Sequence, residues 1–473
     1  MENYKIYVAG RFIETPSNLI VENPHTKEKF ASTFIGNEET LELAINKAKT
    51  IEEEMSLLSS YEKYQILMFI SNSLKEDRER IGAVIAQEAG KPIALAIGEV
   101  DRTAQTFLVA AEEAKRIPGE YMSIDWTMAG KGKEAWIKYF PIGLVSGISP
   151  FNFPLNLAAH KIAPAIAAGC PIILKPATST PLATLELAKI IDKTTLPKGA
   201  VSIIPMDRKS GNLLVTDERF KLLTFTGSPE VGWKMKSDAG KKKVVLELGG
   251  NAGVIVSDSA DLSIAVPKCV GGAFAYQGQV CIHTQRIFVH ENIFNQFIEQ
   301  FINATSLIKE GSPLDKEAGI TSMIDEWNAT RVEEWVNEAI SDGAILLHGG
   351  KRRNAFFEPT VLTNTKKQMK VNCCEVFGPV VTIEKYNNFE SVVNLVNETE
   401  FGLQAGVFTD RLSEMNFAFQ KIEAGGVIIN DVPTFRVDHM PYGGIKNSGL
   451  GREGLKYAIF DMLEPKILVK NII

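Results

Sequence analysis

The 473-residue sequence has few of the features that mark secreted, metal-binding or membrane proteins. Its five cysteines are odd in number and lack the paired spacing of a zinc site, so we expect a reducing cytoplasm, no disulfide framework and no metal. The N-terminus has no basic segment followed by an apolar run, and no signal peptide is predicted. The longest nearly apolar run, 162–174, contains two prolines. It is shorter than the roughly 18 residues that a membrane helix needs.

The sequence also lacks a strong excess of either charge. The formal net charge is −6 with both signs interspersed, which argues against nucleic acid or an anionic membrane as the main partner. No repeat or low-complexity segment is present. A chain of 473 residues exceeds one simple core, so two or three domains are expected.

The first third of the chain predicts helices flanked by two hairpins. Alternating residues indicate a hairpin at 4–13, and helical spacing predicts three helices within 37–117. Gly90, with Pro92 just beyond it, ends the second of these helices. Two strand-like arms around a Gly-Lys turn predict another hairpin at 118–139. Because this hairpin interrupts a helical region, we expect it to project and pair with another segment.

From residue 142 onward, short apolar strands alternate with helices. The expected strands include L-V-S-G-I-S, P-I-I-L-K-P, S-I-I-P-M, L-L-T-F-T-G and V-V-L-E-L. Such alternation predicts right-handed βαβ units and a parallel sheet, and a second block runs from 253–257 to 426–430. The last segment, P-K-I-L-V-K-N-I-I, is a strand without a partner in either block. With the 118–139 hairpin it predicts an oligomerisation sheet, although two ordinary edge strands would look the same.

Two residues offer covalent chemistry. Cys281 follows Y-Q-G-Q-V, and a cysteine thiolate attacks carbonyl carbon. Glu247 precedes Gly-Gly, and a carboxylate can activate water against a thioester. Taken singly, each residue is more often structural, as is expected for Cys170 and Cys269.

Further polar residues follow the predicted strands. Asn152, within P-F-N-F-P, comes at the carboxyl end of a parallel strand, where its amide would serve as an oxyanion donor or simply cap the next helix. Lys175 ends the next strand and would bind a ribose or phosphate, or only solvent. Ser228 precedes a helix start that can bind an anion. The G-x-G-x-x-G dinucleotide fingerprint is absent.

Two later segments add candidates. Glu375 and Phe377 precede a strand; a carboxylate can bind two ribose hydroxyls, and an aromatic ring can line a nicotinamide. A glycine-rich loop at 429–454 carries Arg436 and His439.

Taken together, these motifs resemble the aldehyde dehydrogenase superfamily. The matching landmarks occur in order along nearly the whole chain: P-F-N-F-P, K-P-A-T, F-T-G-S-P-E-V-G, L-E-L-G-G-N, G-Q-V-C, E-V-F-G-P-V and P-Y-G-G-I-K-N-S-G-L-G-R-E-G. The resemblance implies an α/β fold with a Rossmann-like cofactor domain (1–117 and 140–246), an α/β catalytic domain (247–445) and a small β oligomerisation element (118–139 and 446–473). It also implies a homo-oligomer, a dimer or a tetramer.

The resemblance implies a catalytic role for three residues. Cys281 would add to the aldehyde as nucleophile, giving a thiohemiacetal and, after hydride transfer, a thioester. Asn152 and the main-chain N–H of Cys281 would form the oxyanion hole. Glu247 would activate the water that releases the carboxylic acid, so hydrolysis is favoured over transfer to CoA.

The resemblance also implies that NAD or NADP binds at these motifs. The matching cofactor residues are Ser149, Pro150, Lys175, Thr178, Gly227, Ser228, Gly249, Glu375 and Phe377. Among them, Lys175 would contact the adenosine ribose, Ser228 the pyrophosphate and Glu375 the nicotinamide ribose. Many NAD-preferring members have glutamate where Thr178 stands, so NADP is also allowed. Asn251 replaces a frequent lysine and Cys374 a frequent glutamate.

The segments 99–103 and 154–164 are most similar to the branch with lactaldehyde, sulfolactaldehyde, phosphonoacetaldehyde and non-phosphorylating glyceraldehyde-3-phosphate dehydrogenases. By this resemblance Arg102 would lie in the substrate funnel, and we expect His160 and Arg436 to face it. These cations would select an anionic aldehyde by charge pairing.

The alternative is that a local carboxylate neutralises each arginine: Glu99 or Asp101 would pair with Arg102, and Asp438 with Arg436. Val280 and Ile282 would give the nucleophile apolar walls, which fits a short hydroxylated or anionic aldehyde. A succinate-semialdehyde or phosphonoacetaldehyde substrate, a CoA-acylating enzyme, an inactive relative and a thiol esterase are the alternatives.

Overall fold

The computed structural model describes residues 1–472. Its helices are α1 (Glu38–Thr50), α2 (Glu52–Leu57), α3 (Ser60–Glu76), α4 (Arg78–Ala89), α5 (Ile93–Ala114), α6 (Pro154–Ala168), α7 (Leu182–Ile191), α8 (Arg208–Thr216), α9 (Pro229–Asp238), α10 (Leu262–Phe274), α11 (Phe294–Ser306), α12 (Glu326–Ser341), α13 (Lys370–Cys373), α14 (Phe389–Asn397), α15 (Leu412–Lys421) and α16 (Leu455–Asp461).

The strands of the first half are β1 (Glu2–Asn3), β2 (Ile6–Val8), β3 (Arg11–Ile13), β4 (Asn18–Glu22), β5 (Lys29–Phe34), β6 (Gly119–Ser123), β7 (Lys133–Pro141), β8 (Val145–Ile148), β9 (Ile172–Lys175), β10 (Val201–Ile203), β11 (Leu222–Thr226) and β12 (Lys243–Glu247). Those of the second half are β13 (Ala252–Val256), β14 (Thr284–His290), β15 (Ile345–His348), β16 (Arg352–Arg353), β17 (Phe356–Phe357), β18 (Thr360–Thr363), β19 (Val380–Tyr386), β20 (Phe401–Gly402), β21 (Gln404–Phe408), β22 (Gly426–Ile429), β23 (Ile445–Lys446), β24 (Gly449–Leu450) and β25 (Leu463–Asn471).

The first large sheet has the strand order β24-β12-β11-β8-β9-β10-β2-β3. Its five central strands are parallel, and this confirms the predicted βαβ units. The predicted hairpin at 4–13 is β2–β3, which extends one edge antiparallel to β10. Helix α6 is buried along its whole length, so its polar members His160 and Lys161 are forced into the interior.

The second large sheet has the order β15-β18-β19-β14-β13-β21-β22 and is parallel except for β15. It contains the second predicted block, from β13 to β22. Parallel strands buried on both faces read as continuous apolar runs, as in Ala252–Val256.

The prediction of three helices within 37–117 is wrong, because five are present. Gly90 ends α4 with a left-handed φ of 62°, as predicted. The unpredicted breaks lie at Ile51 and Asp77, neither of which is a glycine or a proline. Ser59 starts α3 through a reciprocal capping box with Glu62.

The predicted hairpin at 118–139 is β6–β7, and β25 pairs with β7 over its full length to form a separate three-stranded sheet. Only part of the segment 446–473 belongs to this sheet. β24 pairs with β12, and α16 packs against α6, so 446–461 lies with the first large sheet. Within residues 1–472, no helix combines the length and apolar character that crossing a bilayer requires.

Candidate active site

A bent segment delivers Cys281 to the beginning of β14. Tyr276, Gln277 and Gly278 all have left-handed φ values, of 48°, 53° and 64°. For the two non-glycine residues this conformation costs about 1–3 kcal/mol each. The buried Tyr276 stabilises the bend by donating its hydroxyl to the carbonyl of Ala89 (2.9 Å).

The Cys281 thiol lies among apolar side chains and contacts one hydroxyl group. Val280 and Ile282 are buried beside it, as predicted, and Tyr442 Oη lies 3.2 Å from its Sγ. Burial raises the pKa of the Cys281 thiol to about 11, whereas the hydrogen bond to Tyr442 and the charge of Arg436 lower it. The thiolate is therefore favoured by the hydroxyl and the guanidinium against the cost of burial.

The Asn152 side chain reaches the segment that carries Cys281. Its Nδ2 donates to the carbonyl of Gln279 (2.9 Å), and the main-chain carbonyl of Asn152 accepts from Lys91 Nζ (2.7 Å). Lys91 forms a fully buried ion pair with Glu99. Glu99 Oε1 in turn accepts from two main-chain N–H groups in the first turn of α6, at 3.0 and 3.1 Å. This ion pair thus positions both Asn152 and the helix that follows it.

Glu247 ends β12 as a buried carboxylate, and no residue within 1–472 hydrogen-bonds either of its oxygens. Burial and the charge of Glu453 raise its pKa well above the usual range, although Arg436 and Lys161 oppose the shift. A methyl group on Gly443 would lie 2.9 Å from Glu247 Oε1, so this glycine leaves space beside the carboxylate. An unpaired carboxylate of raised pKa suits a general base.

Arg436 belongs to a buried charged cluster. Its Nη2 donates to Glu453 Oε2 (3.0 Å), and its guanidinium stacks on Tyr442 at 3.7 Å from the ring centre. Lys161 Nζ lies 3.3 Å from Glu453 Oε1. The local partner considered for Arg436, Asp438, is therefore wrong, because Glu453 takes that place. Arg436 thus contacts the tyrosine that binds the thiol.

Asp438 instead joins Arg102 to His160. It accepts from Arg102 Nη2 (2.9 Å) and Nε (3.2 Å), and its Oδ1 lies 2.8 Å from His160 Nε2. The local partners considered for Arg102, Glu99 and Asp101, are both wrong. Glu99 is taken by Lys91 and Asp101 by an arginine on α4. The three predicted substrate residues lie together, since Arg436 Nη2 lies 3.4 Å from His160 Nε2. Burial and the charge of Arg436 lower the pKa of His160, which favours its neutral form.

Glu375 and Phe377 border the loop after β12. Glu375 Oε1 accepts from Gly250 N (3.0 Å), and any side chain on Gly249 would overlap Glu375 Oε2. Burial raises the pKa of Glu375 to about 7, although Gly250 lowers it. Phe377 has a left-handed φ of 47°, and its ring packs edge-on against Phe151 at 5.9 Å. A side chain on Gly250 would overlap the Cys281 carbonyl oxygen, so this loop contacts both sites.

The remaining cofactor candidates lie at the carboxyl ends of strands in the first large sheet. Lys175 ends β9, and a methyl group on Gly211 would lie 2.9 Å from its side chain, so α8 packs closely on it. Thr178 is exposed just beyond. Ser228 precedes α9, exposed, and makes no side-chain cap hydrogen bond.

Two polar groups are free for a ligand at this edge of the sheet. Within residues 1–472, the buried Ser149 hydroxyl has no hydrogen-bond partner; Pro150 follows it, half-buried. Gly227 has no room for a side chain, because its Cβ would lie only 2.5 Å from the Phe225 ring, and the Ser228 side chain does not cap the N-terminus of α9. These residues fit a phosphate-bearing nucleotide.

Five charged or phenolic residues of the site were not predicted: Tyr442, Glu453, Lys161, and the supporting pair of Lys91 and Glu99. Tyr442 belongs to the P-Y-G-G motif, and Lys161 follows His160. Their proximity to known candidates in sequence was the only available signal. His439, in contrast, is exposed.

Several known proteins are similar to this chain in sequence and in fold. The aldehyde dehydrogenase family model matches residues 12–468. A 3-sulfolactaldehyde dehydrogenase from Priestia aryabhattai is 41% identical over 473 residues, covering 100% of this chain and 99% of the relative. The crystal structure of aldehyde dehydrogenase 21 from Physcomitrella patens, in complex with the reaction product succinate, has a TM-score of 0.98 at 45% identity and covers 100% and 99% of the two chains.

A third similar protein is a glyceraldehyde-3-phosphate dehydrogenase from Methanocaldococcus jannaschii, whose structure is complexed with NADP. It is 38% identical, with a TM-score of 0.92 and coverage of 96% of this chain and 99% of the other. All three similarities extend over almost the entire sequence. The chain belongs to the aldehyde dehydrogenase family.

Proposed function

We propose that this enzyme uses NAD or NADP to oxidise a short hydroxylated or anionic aldehyde to its carboxylic acid, with Cys281 as nucleophile. The observation that carries the proposal is the surroundings of Cys281: the Asn152 amide donates to the carbonyl of Gln279, two residues before Cys281, and the charge of the unpaired Glu247 carboxylate acts on the Cys281 thiol. These groups provide a nucleophile, an oxyanion donor and a base.

Acylation begins with the Cys281 thiolate, which the Tyr442 hydroxyl stabilises by hydrogen bonding. Its attack on the aldehyde carbon moves negative charge onto the aldehyde oxygen. Asn152 Nδ2 can donate to that oxygen, because it has one acceptor in this structure, the carbonyl of Gln279 (2.9 Å). The main-chain N–H of Cys281 is the second donor. A bound nicotinamide supplies the acceptor for the hydride that leaves this carbon.

Deacylation is assigned to Glu247. Its carboxylate takes a proton from water, the water oxygen attacks the thioester carbon, and the Cys281 sulfur leaves as thiolate. Burial raises the pKa of Glu247, so the carboxylate is a stronger base than an exposed glutamate. This unpaired base favours the free acid over a CoA ester.

The cofactor is assigned to the sheet edge described above. Glu375 would accept from ribose hydroxyls, Ser149 and Ser228 would bind polar groups of the nucleotide, and Lys175 would contact the adenosine ribose. The exposed Thr178 offers no carboxylate to repel a 2′-phosphate, and this supports use of NADP beside NAD.

The substrate proposal rests on the cluster of Arg102, His160 and Arg436 with two carboxylates. Asp438 balances Arg102 and Glu453 balances Arg436, so selection of an anion depends on these two ion pairs and on the guanidinium N–H groups that they leave free. Arg436 Nε has no hydrogen-bond partner within residues 1–472. Similarity to the 3-sulfolactaldehyde dehydrogenase favours a sulfonated hydroxyaldehyde.

A second candidate is succinate semialdehyde. It is favoured by the 45% identity to aldehyde dehydrogenase 21, whose structure contains succinate as the reaction product. Both candidates are short aldehydes with one anionic group, so the guanidinium groups of Arg102 and Arg436 would bind either.

One assay distinguishes the candidates. Formation of NADH or NADPH is followed at a fixed wavelength with lactaldehyde, sulfolactaldehyde, succinate semialdehyde and phosphonoacetaldehyde, with and without CoA. We expect the highest kcat/KM with sulfolactaldehyde or succinate semialdehyde and no dependence on CoA. The Cys281→Ala variant should be inactive with every aldehyde, and persisting dehydrogenase activity would contradict the mechanism.

We also propose a cytoplasmic homo-oligomer, a dimer or tetramer, assembled through the three-stranded sheet of β6, β7 and β25. Support comes from the exposed apolar residues of this sheet, among them Ile467, Leu468 and Val469, and from the five free cysteines. The cofactor domain is assigned to the first large sheet and the catalytic domain to the second. Multi-angle light scattering tests the assembly.

A further inference from the structure

Two adjacent thiols lie beside the cofactor site and have no part in the mechanism above. Cys373 ends α13 and Cys374 follows it, and their Sγ atoms are 3.7 Å apart. Both residues are half-buried, so a small reagent has access to them. The buried Cys170 and Cys269 lack such access.

The main chain around these thiols is tied to Glu375. Gln285 Nε2 donates to the carbonyl of Cys374 (2.7 Å), and Gln285 Oε1 accepts from Val376 N (2.9 Å). Gln285 thus holds the chain on both sides of Glu375. Because a side chain on Gly249 would overlap the Glu375 carboxylate, that carboxylate has no room to shift toward the loop.

We propose that Cys373 and Cys374 are a redox modification site, at which low-molecular-weight disulfides such as glutathione disulfide form a reversible Cys373–Cys374 disulfide that displaces Glu375 and weakens binding of NAD or NADP. This inference rests on the proposed cofactor role of Glu375.

The exchange is balanced without a further reactant. The Cys373 thiolate attacks one sulfur of the small disulfide and releases one small thiol. Cys374 loses its proton, attacks Cys373 Sγ and releases the second small thiol. Two protein thiols are oxidised, and one small disulfide is reduced. Cys373 attacks first because burial and its neighbour raise the pKa of the Cys374 thiol.

The new bond must change the backbone next to Glu375. Adjacent Cα atoms are about 3.8 Å apart, whereas disulfides usually join Cα atoms about 4.4–6.8 Å apart. The Cys373–Cys374 main chain therefore has to rearrange as the two sulfurs approach. Since Glu375 is the next residue, the rearrangement moves its carboxylate. Disulfides formed under such constraint are easily reduced, which suits a reversible site.

The experiment uses the full chain with Cys281→Ser, so that oxidation of the nucleophile does not contribute. The protein is incubated with glutathione disulfide. Its intact mass and the mass of the peptide that contains residues 373–374 are then measured. The Kd for NADH and NADPH is obtained by fluorescence titration. We expect loss of two hydrogen atoms in that peptide. We also expect a Kd about tenfold higher, the effect of losing one charge-assisted hydrogen bond, and full recovery with dithiothreitol.

Matched variants identify which cysteines cause the change in mass and in Kd. Adding Cys373→Ser or Cys374→Ser should abolish both changes, while Cys269→Ser should abolish neither. Phenylarsine oxide, which bridges two neighbouring thiols with loss of water, should bind once to the reduced protein and not to either serine variant.

Two results would overturn the proposal: a retained glutathione adduct in place of the disulfide, or a disulfide that leaves the Kd unchanged. If the reduced protein bound neither nucleotide, the proposed function itself would fail and the coupling with it. The mass would still report whether the disulfide forms, so the two failures are distinguishable.

Discussion

The hydroxyl oxygen of Tyr442 lies 3.2 Å from Cys281 Sγ, although 161 residues separate the two in sequence. The guanidinium of Arg436 stacks on Tyr442, 3.7 Å from the centre of its ring. The proposed nucleophile Cys281 is therefore linked to a cation through Tyr442. The apolar neighbours Val280 and Ile282 do not reveal this link in sequence.

Removal of this hydroxyl should make the thiol less acidic. In Tyr442→Phe the thiolate loses a hydrogen bond, which for a charged partner contributes about 1.5–3 kcal/mol. The pKa of Cys281 should rise above its value of about 11, and alkylation by iodoacetamide at pH 8 should slow by about tenfold or more. Tyr61→Phe, at an exposed tyrosine, is the control. Equal alkylation rates in both variants would contradict the role of Tyr442.

Replacement of the general base should separate acylation from hydrolysis. Glu247→Gln keeps the size of the side chain but cannot accept a proton, so steady-state turnover should fall by about 100-fold or more. A burst of close to one equivalent of NADH or NADPH should remain, because thioester formation does not use Glu247. Stopped-flow absorbance measures the burst. A variant with neither burst nor turnover would show that Glu247 is needed before deacylation.

The pH dependence of deacylation follows from the same carboxylate. Burial and Glu453 raise the pKa of Glu247, so its basic form increases as pH rises through this raised pKa. The deacylation rate of the parent enzyme should therefore increase with pH over the range below that pKa. Single-turnover decay of the thioester at several pH values gives the profile, and the Glu247→Gln profile should be flat over the same range.

Local motifs allowed much of this site to be predicted from sequence. Asn152, Lys175 and Glu247 each end or follow a strand of one parallel sheet, so a single strand–helix pattern places them on the same edge. Cys281 directly follows the glycine-containing segment Y-Q-G-Q-V, which is a local motif of its own. In each case the signal lies within a few residues of the functional side chain.

Contacts between distant segments were beyond sequence reasoning. Arg102 and Asp438 are 336 residues apart, and Lys161 and Glu453 are 292 apart. For Arg102 and for Lys161, several carboxylates are nearer in sequence, and nothing local favours the distant one. The extra helix breaks at Ile51 and Asp77 were missed for a different reason. These residues leave the helical conformation at φ values of −111° and −104°, and neither is the usual glycine or proline.

Cofactor affinity should depend on the ionisation of Glu375. Burial raises the pKa of this carboxyl to about 7, and ribose hydroxyls are donors that favour its ionised form. Affinity should thus be full above the raised pKa and be lost as pH falls below it. Between pH 8 and pH 6 the Kd for NADPH should increase about tenfold. Fluorescence titration of Glu375→Gln should show weaker binding with no such pH dependence; an identical slope would exclude Glu375 as the titrating group.

The pair of Arg102 with Asp438 should control selection by charge. Arg102→Ala leaves Asp438 without its guanidinium and adds negative charge near the site, so KM for succinate semialdehyde should increase about tenfold, and KM for propanal much less. Adding Asp438→Asn removes that charge and should restore most of the loss. Initial rates with both aldehydes test this. Equal increases for the two aldehydes in Arg102→Ala would argue against charge selection.

The buried pair of Lys91 with Glu99 should matter for both stability and turnover. Lys91→Met leaves Glu99 as an unpaired buried charge, which costs about 3–5 kcal/mol of unfolding free energy. The double variant Lys91→Met/Glu99→Gln should lose less, because the remaining group is neutral. Urea unfolding measures these differences, with the exposed Lys234→Met as control.

The same substitution should lower kcat more than it raises KM. Lys91 Nζ donates to the main-chain carbonyl of Asn152 (2.7 Å), and Glu99 accepts from the first turn of α6, which follows Asn152. Loss of these contacts displaces the Asn152 amide that is assigned to the oxyanion. An oxyanion donor acts in the transition state, and its misplacement therefore appears in kcat. If the double variant regains stability but not kcat, Lys91 positions Asn152. If kcat returns together with stability, Lys91 only supports the fold.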